Sequence, residues 1–332
     1  MTTSDDGYYA EAVAYPTIGI ILLGGISDKI HRNPLHTSAG IAYTGLNDVV
    51  EARTRVCIGT GTPSGSINGE HVEYSESSRS PFYVLDKYSK VIFKNLGLKP
   101  ENHSLSFTSS NIGILSGSSD AGAAAIGTDI EVLSGGGVPK FELEADLRAI
   151  SESAGRSFYG GLSITWVRDG EVTTERVLDE SAFNDYGILG CRFNVARNPS
   201  DRIHENVVKS PDYKKRIDST QRKASLLMKK AEDADIEGIF DLAHEDTREY
   251  HRLIESVGVH VITPRMGKLM DYIDGLRKQM WVSYIVTGGS NVFIVARKRD
   301  LSDIMQSVEG LYDGISLLRV AGSSRPISVK LS

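Results

Sequence analysis

Apolar residues recur along this chain at two periods, near two and near three and a half residues. The mixture predicts strands and helices together. Ile18, Ile20, Ile21, Leu22 and Leu23 form an almost unbroken apolar run, read as a buried strand closed by Gly24-Gly25. Residues 27–36, polar and containing Pro34, form a loop. Strands are predicted over 38–43 and 51–60, the second alternating through Ala52, Thr54, Val56 and Ile58. A helical stripe follows over 80–95 in Val84, Leu85, Tyr88, Val91 and Ile92, with Ser80 at the N-cap and Pro81 at the first helical position. A strand over 104–114 leads into an Ala-rich helix ending near Leu133, and a second helix covers 141–153. Segments 162–168 and 171–178 flank Asp169-Gly170, a hairpin signature. Beyond Tyr186 the pattern predicts a strand over 187–195 and a turn at 198–201. Three charged helices over 211–231, 236–256 and 264–280 come next, then strands over 281–286 and 292–298, a short helix over 301–310 and a last strand over 315–320. Without a regular strand–helix–strand alternation, the fold class expected is α+β, in two halves, 1–185 and 186–332, that share a cleft.

The 332 residues are enough for one large or two medium domains. A net charge of −6 gives no reason to expect a nucleic-acid or membrane-surface partner. Cys57 and Cys191 are the only cysteines, which excludes a disulfide framework or zinc spacing. The polar, acidic start and the shortness of the apolar run 18–23 lead to the expectation of a cytoplasmic protein with no membrane span. His36, His204, His244, His251 and His260 have no metal-ligand spacing, and no metal-ligating residue is assigned. His244 and His251 would share one face of a helix dense in Glu and Asp, read as a solvated face.

The stretch 113–127 carries the candidate chemistry. It leaves a strand, passes through Gly117 and Gly122 with serines between them, and enters the Ala-rich helix. A helix starting near Ser118 or Ser119 would point free amide N–H groups and its positive dipole end at an anion. No Lys follows the second Gly, so this is not a P-loop. The plainer alternative is a strand–turn–helix corner with a serine cap. Asp120 is read as capping the helix N-terminus, with Mg²⁺ binding as the other option.

Four segments, in order, resemble the GHMP kinase superfamily over nearly the whole chain. Leu115-Ser-Gly-Ser-Ser-Asp-Ala-Gly-Ala-Ala124 resembles its phosphate loop and following helix. Ala14-Tyr-Pro-Thr-Ile-Gly19, Ser151-Glu-Ser-Ala-Gly-Arg-Ser-Phe-Tyr-Gly-Gly161 and Tyr284-Ile-Val-Thr-Gly-Gly-Ser-Asn291 narrow the resemblance to the mevalonate diphosphate decarboxylase-like branch. Three departures stand out. The decarboxylases carry Lys where Leu22 stands, an Asp essential to their chemistry where Thr287 stands, and Gly where Glu152 stands. Loss of the Lys/Asp pair resembles the archaeal mevalonate 3-kinases.

The resemblance implies a GHMP kinase-like two-lobed fold with a central active-site cleft, the phosphate loop lying in the first half. It implies transfer of phosphate from ATP, with Mg²⁺, to the C3 hydroxyl of mevalonate, in isoprenoid biosynthesis, by a homodimer. Decarboxylation of diphosphomevalonate or a related phosphomevalonate is the alternative. Other GHMP kinase activities and a catalytically silent ATP-binding member are further rivals. Ser116, Gly117, Ser118 and Ser119 would hold the phosphates, Leu22 and Leu23 would wall the C3 methyl, and Thr287 would hydrogen-bond the attacking hydroxyl. Arg156 and Arg197 would meet the carboxylate and the phosphates, bidentately, as guanidinium groups do. Arg197 is assigned to the transferred phosphate and Arg156 to the carboxylate, and the reverse stays open. Glu152 would face the far end of the substrate. At ~4 Å and an effective dielectric of ~20, a like charge there costs about 4 kcal/mol, whereas a free C5 hydroxyl can donate a hydrogen bond. The plain alternative for Glu152 is a solvated charge at a helix end.

Overall fold

The computed structural model describes residues 7–28, 30–195 and 199–331. Strands β1 (Tyr9–Ala14), β4 (Glu51–Gly59), β5 (Gly65–Ile67), β6 (Glu70–Val72), β7 (Ser104–Ile112) and β14 (Arg325–Lys330) form a six-stranded sheet in the order β14-β1-β4-β7-β5-β6. Its pairings are antiparallel except for β5 on β7. Strands β3 (Ser38–Gly45), β8 (Leu162–Arg168), β9 (Glu171–Leu178), β10 (Tyr186–Arg192), β11 (Val282–Val286), β12 (Asn291–Arg297) and β13 (Gly314–Val320) build the second sheet, ordered β11-β12-β10-β13-β3-β8-β9. Strand β2 (Thr17–Ile21) pairs antiparallel with β3 as its eighth member. This mixture of sheets and helices is α+β. Strands β3, β8 and β9 precede residue 185 yet share a sheet with four that follow it, and β14 returns from the chain's end to β1.

Small side chains let the Ala-rich helix after the Gly/Ser-rich loop sit close on the first sheet. Helix α2 (Ser118–Leu133) packs against β1 and β4, where Ala10 and Ala12 meet Ala123, Ala124 and Ile126 in one buried cluster. Helix α1 (Pro81–Asn95) starts as predicted, with the Ser80 hydroxyl accepting from the Phe82 amide and Pro81 in the first turn. The β8–β9 hairpin turns through Asp169 (φ 52°) and Gly170 (φ 83°), the paired positive angles that a two-residue turn demands. Helix α3 (Lys140–Ile150) is shorter than the periodicity predicts. The chain is extended at Ser151 before helix α4 (Ala154–Tyr159) begins.

Several elements escape the sequence pattern, α5 and β14 among them. Ser200 and Asp201, read as the end of a turn, instead begin helix α5 (Ser200–Val207). Strand β14 contains Pro326 and alternates poorly. It is an edge strand, where a missing N–H is tolerated, and its register on β1 shifts beside Ala12. Helices α6 (Tyr213–Glu232), α7 (Ile236–Glu255) and α8 (Pro264–Leu276) match the three charged helices. The solvated-face reading of His244 and His251 is wrong, however. Helix α7 packs against β2 and β11, and His244, Asp246, Thr247 and His251 are all buried. Their polar atoms find partners inside the fold, including Asp274 for His244 and the Val286 carbonyl for His251.

Asp129 of α2 is fully buried, and neither carboxylate oxygen has a hydrogen-bond partner among the described residues. Burial, reinforced by Glu11, raises its pKa well above the carboxylate range, against the weaker pull of Arg55 and the Val56 backbone. A raised folded-state pKa means that the native protein holds a proton the unfolded chain releases above ~3.9. Through that window this group removes about 1.4 kcal/mol of stability per pH unit as pH rises. Asp129→Asn should therefore leave stability near pH 3.5 little changed and raise the melting temperature at pH 7. Parallel melting curves for the two proteins across pH 3.5–7 would refute this.

Candidate active site

A cavity of about 480 Å³ is lined by β2 and the residues after it, the start of α2, the 151–156 segment, α5 and the loop between β11 and β12. One wall is the Gly/Ser-rich loop that leads into α2. Gly117 is the N-cap of α2 in the left-handed conformation (φ 81°), and a Cβ there would lie 2.8 Å from the Thr17 amide nitrogen. A glycine cap has no side chain to accept from the first-turn amides, so the helix opens on the cavity with those donors uncapped. The serine-cap alternative is thereby set aside. Asp120 is held from two sides by hydroxyl donors: Thr17 Oγ1 donates to one carboxylate oxygen (2.7 Å) and Ser151 Oγ to the other (2.6 Å). These bonds tie β2 and the 151–153 turn to the loop, a positioning role rather than the N-cap expected. Tyr43 buckles the loop further: its hydroxyl donates to the Ser116 carbonyl (2.7 Å) and accepts from the Ser116 amide (3.0 Å).

The loop between β11 and β12 closes the second wall. Thr287 Oγ1 lies 3.4 Å from Ser116 Oγ, and Asn291 Nδ2 donates to the Leu115 carbonyl (2.8 Å). Gly288 and Gly289 also line the cavity.

Leu22 and Leu23 supply the apolar wall. The strand predicted through Leu23 ends at Ile21, because remote side chains rather than a neighbouring strand satisfy the backbone beyond it. The Leu22 amide donates to Asp246 (2.7 Å), and its carbonyl accepts from Arg216 Nη2 (2.7 Å). The Leu23 carbonyl accepts from Tyr250 and the Gly24 carbonyl from Tyr213. The Gly24 and Gly25 amides donate to His36 Nε2 and His204 Nδ1. Every one of these contacts crosses from an irregular segment to a buried side chain, which is how buried non-strand backbone avoids the cost of unmade hydrogen bonds.

Glu152 and Arg156 occupy the third wall. Arg156 is buried; its Nη1 donates to the Ala39 carbonyl (3.2 Å), its Nη2 to Ser153 Oγ (2.7 Å), and its Nε has no partner among the described residues. Burial lowers its pKa and the nearby Asp120 supports the charge. Glycine at position 40 makes the space, since a Cβ there would come within 2.9 Å of Arg156 Nη1. Glu152 is 8% exposed, so it is not a solvated helix-end charge. It pairs with Arg32, which is 1% exposed and also donates to Asp201 (2.7 Å); Arg79 holds the other Asp201 oxygen (2.6 Å). His204 Nε2 lies 3.5 Å from the same Glu152 oxygen that Arg32 binds. Because His204 Nδ1 accepts from Gly25, the neutral ring carries its proton on Nε2, facing Glu152. Burial and then Arg32 lower the His204 pKa to about 4, so the ring is neutral at pH 7.

Leu22, Leu23, Ser116, Gly117, Ser118, Ser119, Glu152, Arg156 and Thr287 thus line one cavity. Arg197 lies outside the described residues; Pro199 and Ser200, which follow it, line the cavity. The sequence reading missed Thr17, Tyr43, Arg32, His204, Arg216 and Asp246. Thr17 stood within a motif already singled out. Tyr43 lies on β3, and the others lie in a loop or on helices; the partners of all five are remote in the chain. Among the described residues no group of three or more His, Cys, Asp or Glu side chains could hold a metal, and no helix is long and apolar enough to cross a membrane.

Residues 14–175 match the diphosphomevalonate decarboxylase-like N-terminal domain family, and residues 198–302 the mevalonate-3-kinase C-terminal domain family. The chain is 46% identical to the mevalonate-3-kinase of Picrophilus torridus over 97% of its own length and 99% of that protein's. It is similar to the crystal structure of mevalonate-3-kinase from Thermoplasma acidophilum bound to mevalonate 3-phosphate and ADP (TM-score 0.89, 42% identity, 98% of this chain and 100% of that one). It shares the fold of mevalonate diphosphate decarboxylase from Staphylococcus aureus at 17% identity (TM-score 0.81, 97% of this chain and 98% of that one).

Proposed function

Because this chain belongs to the mevalonate-3-kinase family, we propose that it transfers the γ-phosphoryl group of ATP to the C3 hydroxyl of mevalonate, releasing ADP and 3-phosphomevalonate. The observation that carries this reading is the composition of one cavity. The uncapped start of α2 shares the cavity with Thr287, Leu22 and buried Glu152, the three positions at which the resemblance to the decarboxylases fails, and with buried Arg156.

Each part has a task that its chemistry suits. The first-turn amides of α2, with Ser116, Gly117, Ser118 and Ser119, cradle the phosphates of ATP. Arg156 binds the mevalonate carboxylate through donors that the protein leaves unused. Leu22 and Leu23 pack on the C3 methyl, and Glu152 accepts from the C5 hydroxyl. Thr287 hydrogen-bonds the attacking C3 hydroxyl and, as an alcohol, is no base near neutral pH. Phosphoryl transfer through a loose transition state relies on alignment and charge neutralisation more than on a strong base. Without an Asp at 287 the kinase half-reaction therefore survives, whereas the step that would expel carbon dioxide loses its charged partner. Mg²⁺ would be held at this loop together with the nucleotide phosphates. It is commonly held by one or two carboxylates plus substrate phosphates, and the single carboxylate of Asp120 beside the loop fits that donor set. When bound, the ion neutralises phosphate charge. The reaction belongs to isoprenoid biosynthesis, and we take the working enzyme to be a cytoplasmic homodimer.

The test is incubation with ATP, Mg²⁺ and mevalonate, followed by phosphorus and carbon NMR of the product. Phosphate on C3 with C5 free is the expected result. Phosphate on C5, or carbon dioxide released from diphosphomevalonate with no turnover of mevalonate, overturns the proposal.

A further inference from the structure

The carboxylate of Glu152 has a full positive charge immediately behind it. Arg32 is 1% exposed and does not line the cavity, whereas Glu152 and His204 do. A molecule entering from the cavity therefore meets the carboxylate first. The hydrogen bonds of Arg32 to Glu152 and Asp201 both leave from Nη2. Its Nε is buried with no partner among the described residues, so the guanidinium is under-used. The residue sits in the left-handed backbone region (φ 52°), uncommon for a long side chain. Asp201 is the weaker counter-ion: its side chain is 40% exposed and is shared with Arg79. The four charges Arg32, Glu152, Asp201 and Arg79 sum to zero. Bare repulsion by Glu152 therefore overstates how this wall rejects an anion. What rejects it is the order of the groups, carboxylate in front and guanidinium behind.

We propose that Arg32 is a masked anion site: Glu152 occupies its guanidinium as an internal counter-anion, and with the carboxylate removed the same wall accepts a phosphate monoester. The inference rests on the reading that this wall meets the C5 end of mevalonate. It adds that the choice between a hydroxyl and a phosphate there is set by a pair of residues, with Arg32 supplying the binding charge and Glu152 blocking it. His204 completes the mask. Its Nε2–H faces the Glu152 oxygen that Arg32 binds, so that oxygen is turned away from the ligand and the other is left to the cavity. With Glu152 gone, the Arg32 fork and the His204 N–H would face the vacated space as donors, and a phosphate oxygen is a strong acceptor for both.

The experiment compares the full-length wild type with Glu152→Ala, Glu152→Gln and the double variant Glu152→Ala/Arg32→Met. Calorimetric affinity is measured for mevalonate, 5-phosphomevalonate and inorganic phosphate. We expect Glu152→Ala to bind 5-phosphomevalonate and inorganic phosphate at least about tenfold more tightly than the wild type, and the double variant to lose that gain. Glu152→Gln, which fills the space without the charge, should weaken mevalonate binding and gain little for phosphate. Removing one partner of a buried ion pair is destabilising. A melting-temperature rise on adding inorganic phosphate to Glu152→Ala, absent in the double variant, therefore provides a second readout through ligand linkage. No phosphate gain in Glu152→Ala, or a gain that persists without Arg32, overturns the proposal. If Glu152→Gln still weakens mevalonate binding in that case, the C5 assignment stands alone. If mevalonate binding is also unchanged, that assignment fails as well.

Discussion

Replacing Asp246 with alanine is expected to cost about 3–5 kcal/mol of folding free energy. Asp246 is fully buried on α7 and accepts from Arg216 Nη1 (2.5 Å) and Nη2 (2.9 Å), from Lys223 (2.8 Å) and from the Leu22 amide (2.7 Å). Arg216 is itself 1% exposed and, among the described residues, has beyond Asp246 only the partly exposed Glu249 as a carboxylate partner. Alanine would leave that guanidinium deficient in negative charge inside the protein and the Leu22 amide without its acceptor. Urea denaturation should show the midpoint falling with the slope unchanged. The pH dependence has a definite sign. Burial alone would raise the Asp246 pKa, but Arg216 and Lys223 outweigh it and hold the group below the carboxylate range. Its stabilisation is therefore fully present above the unfolded value of ~3.9 and is lost as pH falls through the lowered folded value. Asp246→Asn should lack that acid-side loss and be less stable than the wild type at pH 7. A cost under about 1 kcal/mol for alanine would show that the network is not what holds the Leu22 backbone.

The same network shows where sequence reading stops. The hairpin at Asp169-Gly170, the Ser80-Pro81 helix start and the strand-to-helix passage at Gly117 depend on neighbours within a few residues, and each is legible as a local pattern. The positions that diverge from the decarboxylase motifs, Leu22, Glu152 and Thr287, were legible because the resemblance supplied something to diverge from. Arg216, Asp246 and Arg32 had no such support. A charged residue on an amphipathic helix has the same local signature whether it faces water or a remote counter-ion. Asp246 meets Leu22 across 224 residues of chain, and Arg32 meets Glu152 across 120. The pattern at 236–256 located α7 correctly and misjudged its environment, because period says which residues share a face and not what covers it. Strand β14 was lost for the opposite reason: its pairing with β1 exists only once the chain has returned across the molecule.

Arg156→Lys should lower kcat/KM for mevalonate by about 10²–10³-fold while changing stability far less than Asp246→Ala does. Lysine retains the charge but not the planar fork. The geometry argues that the fork is what this position needs. Two of its nitrogens are fixed by Ala39 and Ser153, the third is buried without a partner among the described residues, and glycine at 40 keeps the guanidinium from being displaced. An ammonium on a shorter, flexible stem could satisfy one of those acceptors and not hold a carboxylate in two-point register. Orientation by that carboxylate fixes where the C3 hydroxyl sits relative to the uncapped end of α2. The loss should therefore appear in kcat as well as in KM, since a misaligned nucleophile reacts slowly even when bound. An analogue lacking the carboxylate should be turned over poorly by the wild type and be little affected by Arg156→Lys, which a purely structural role would not produce. Retention of wild-type kcat/KM within about threefold in Arg156→Lys would remove Arg156 from the substrate and transfer the carboxylate to another donor.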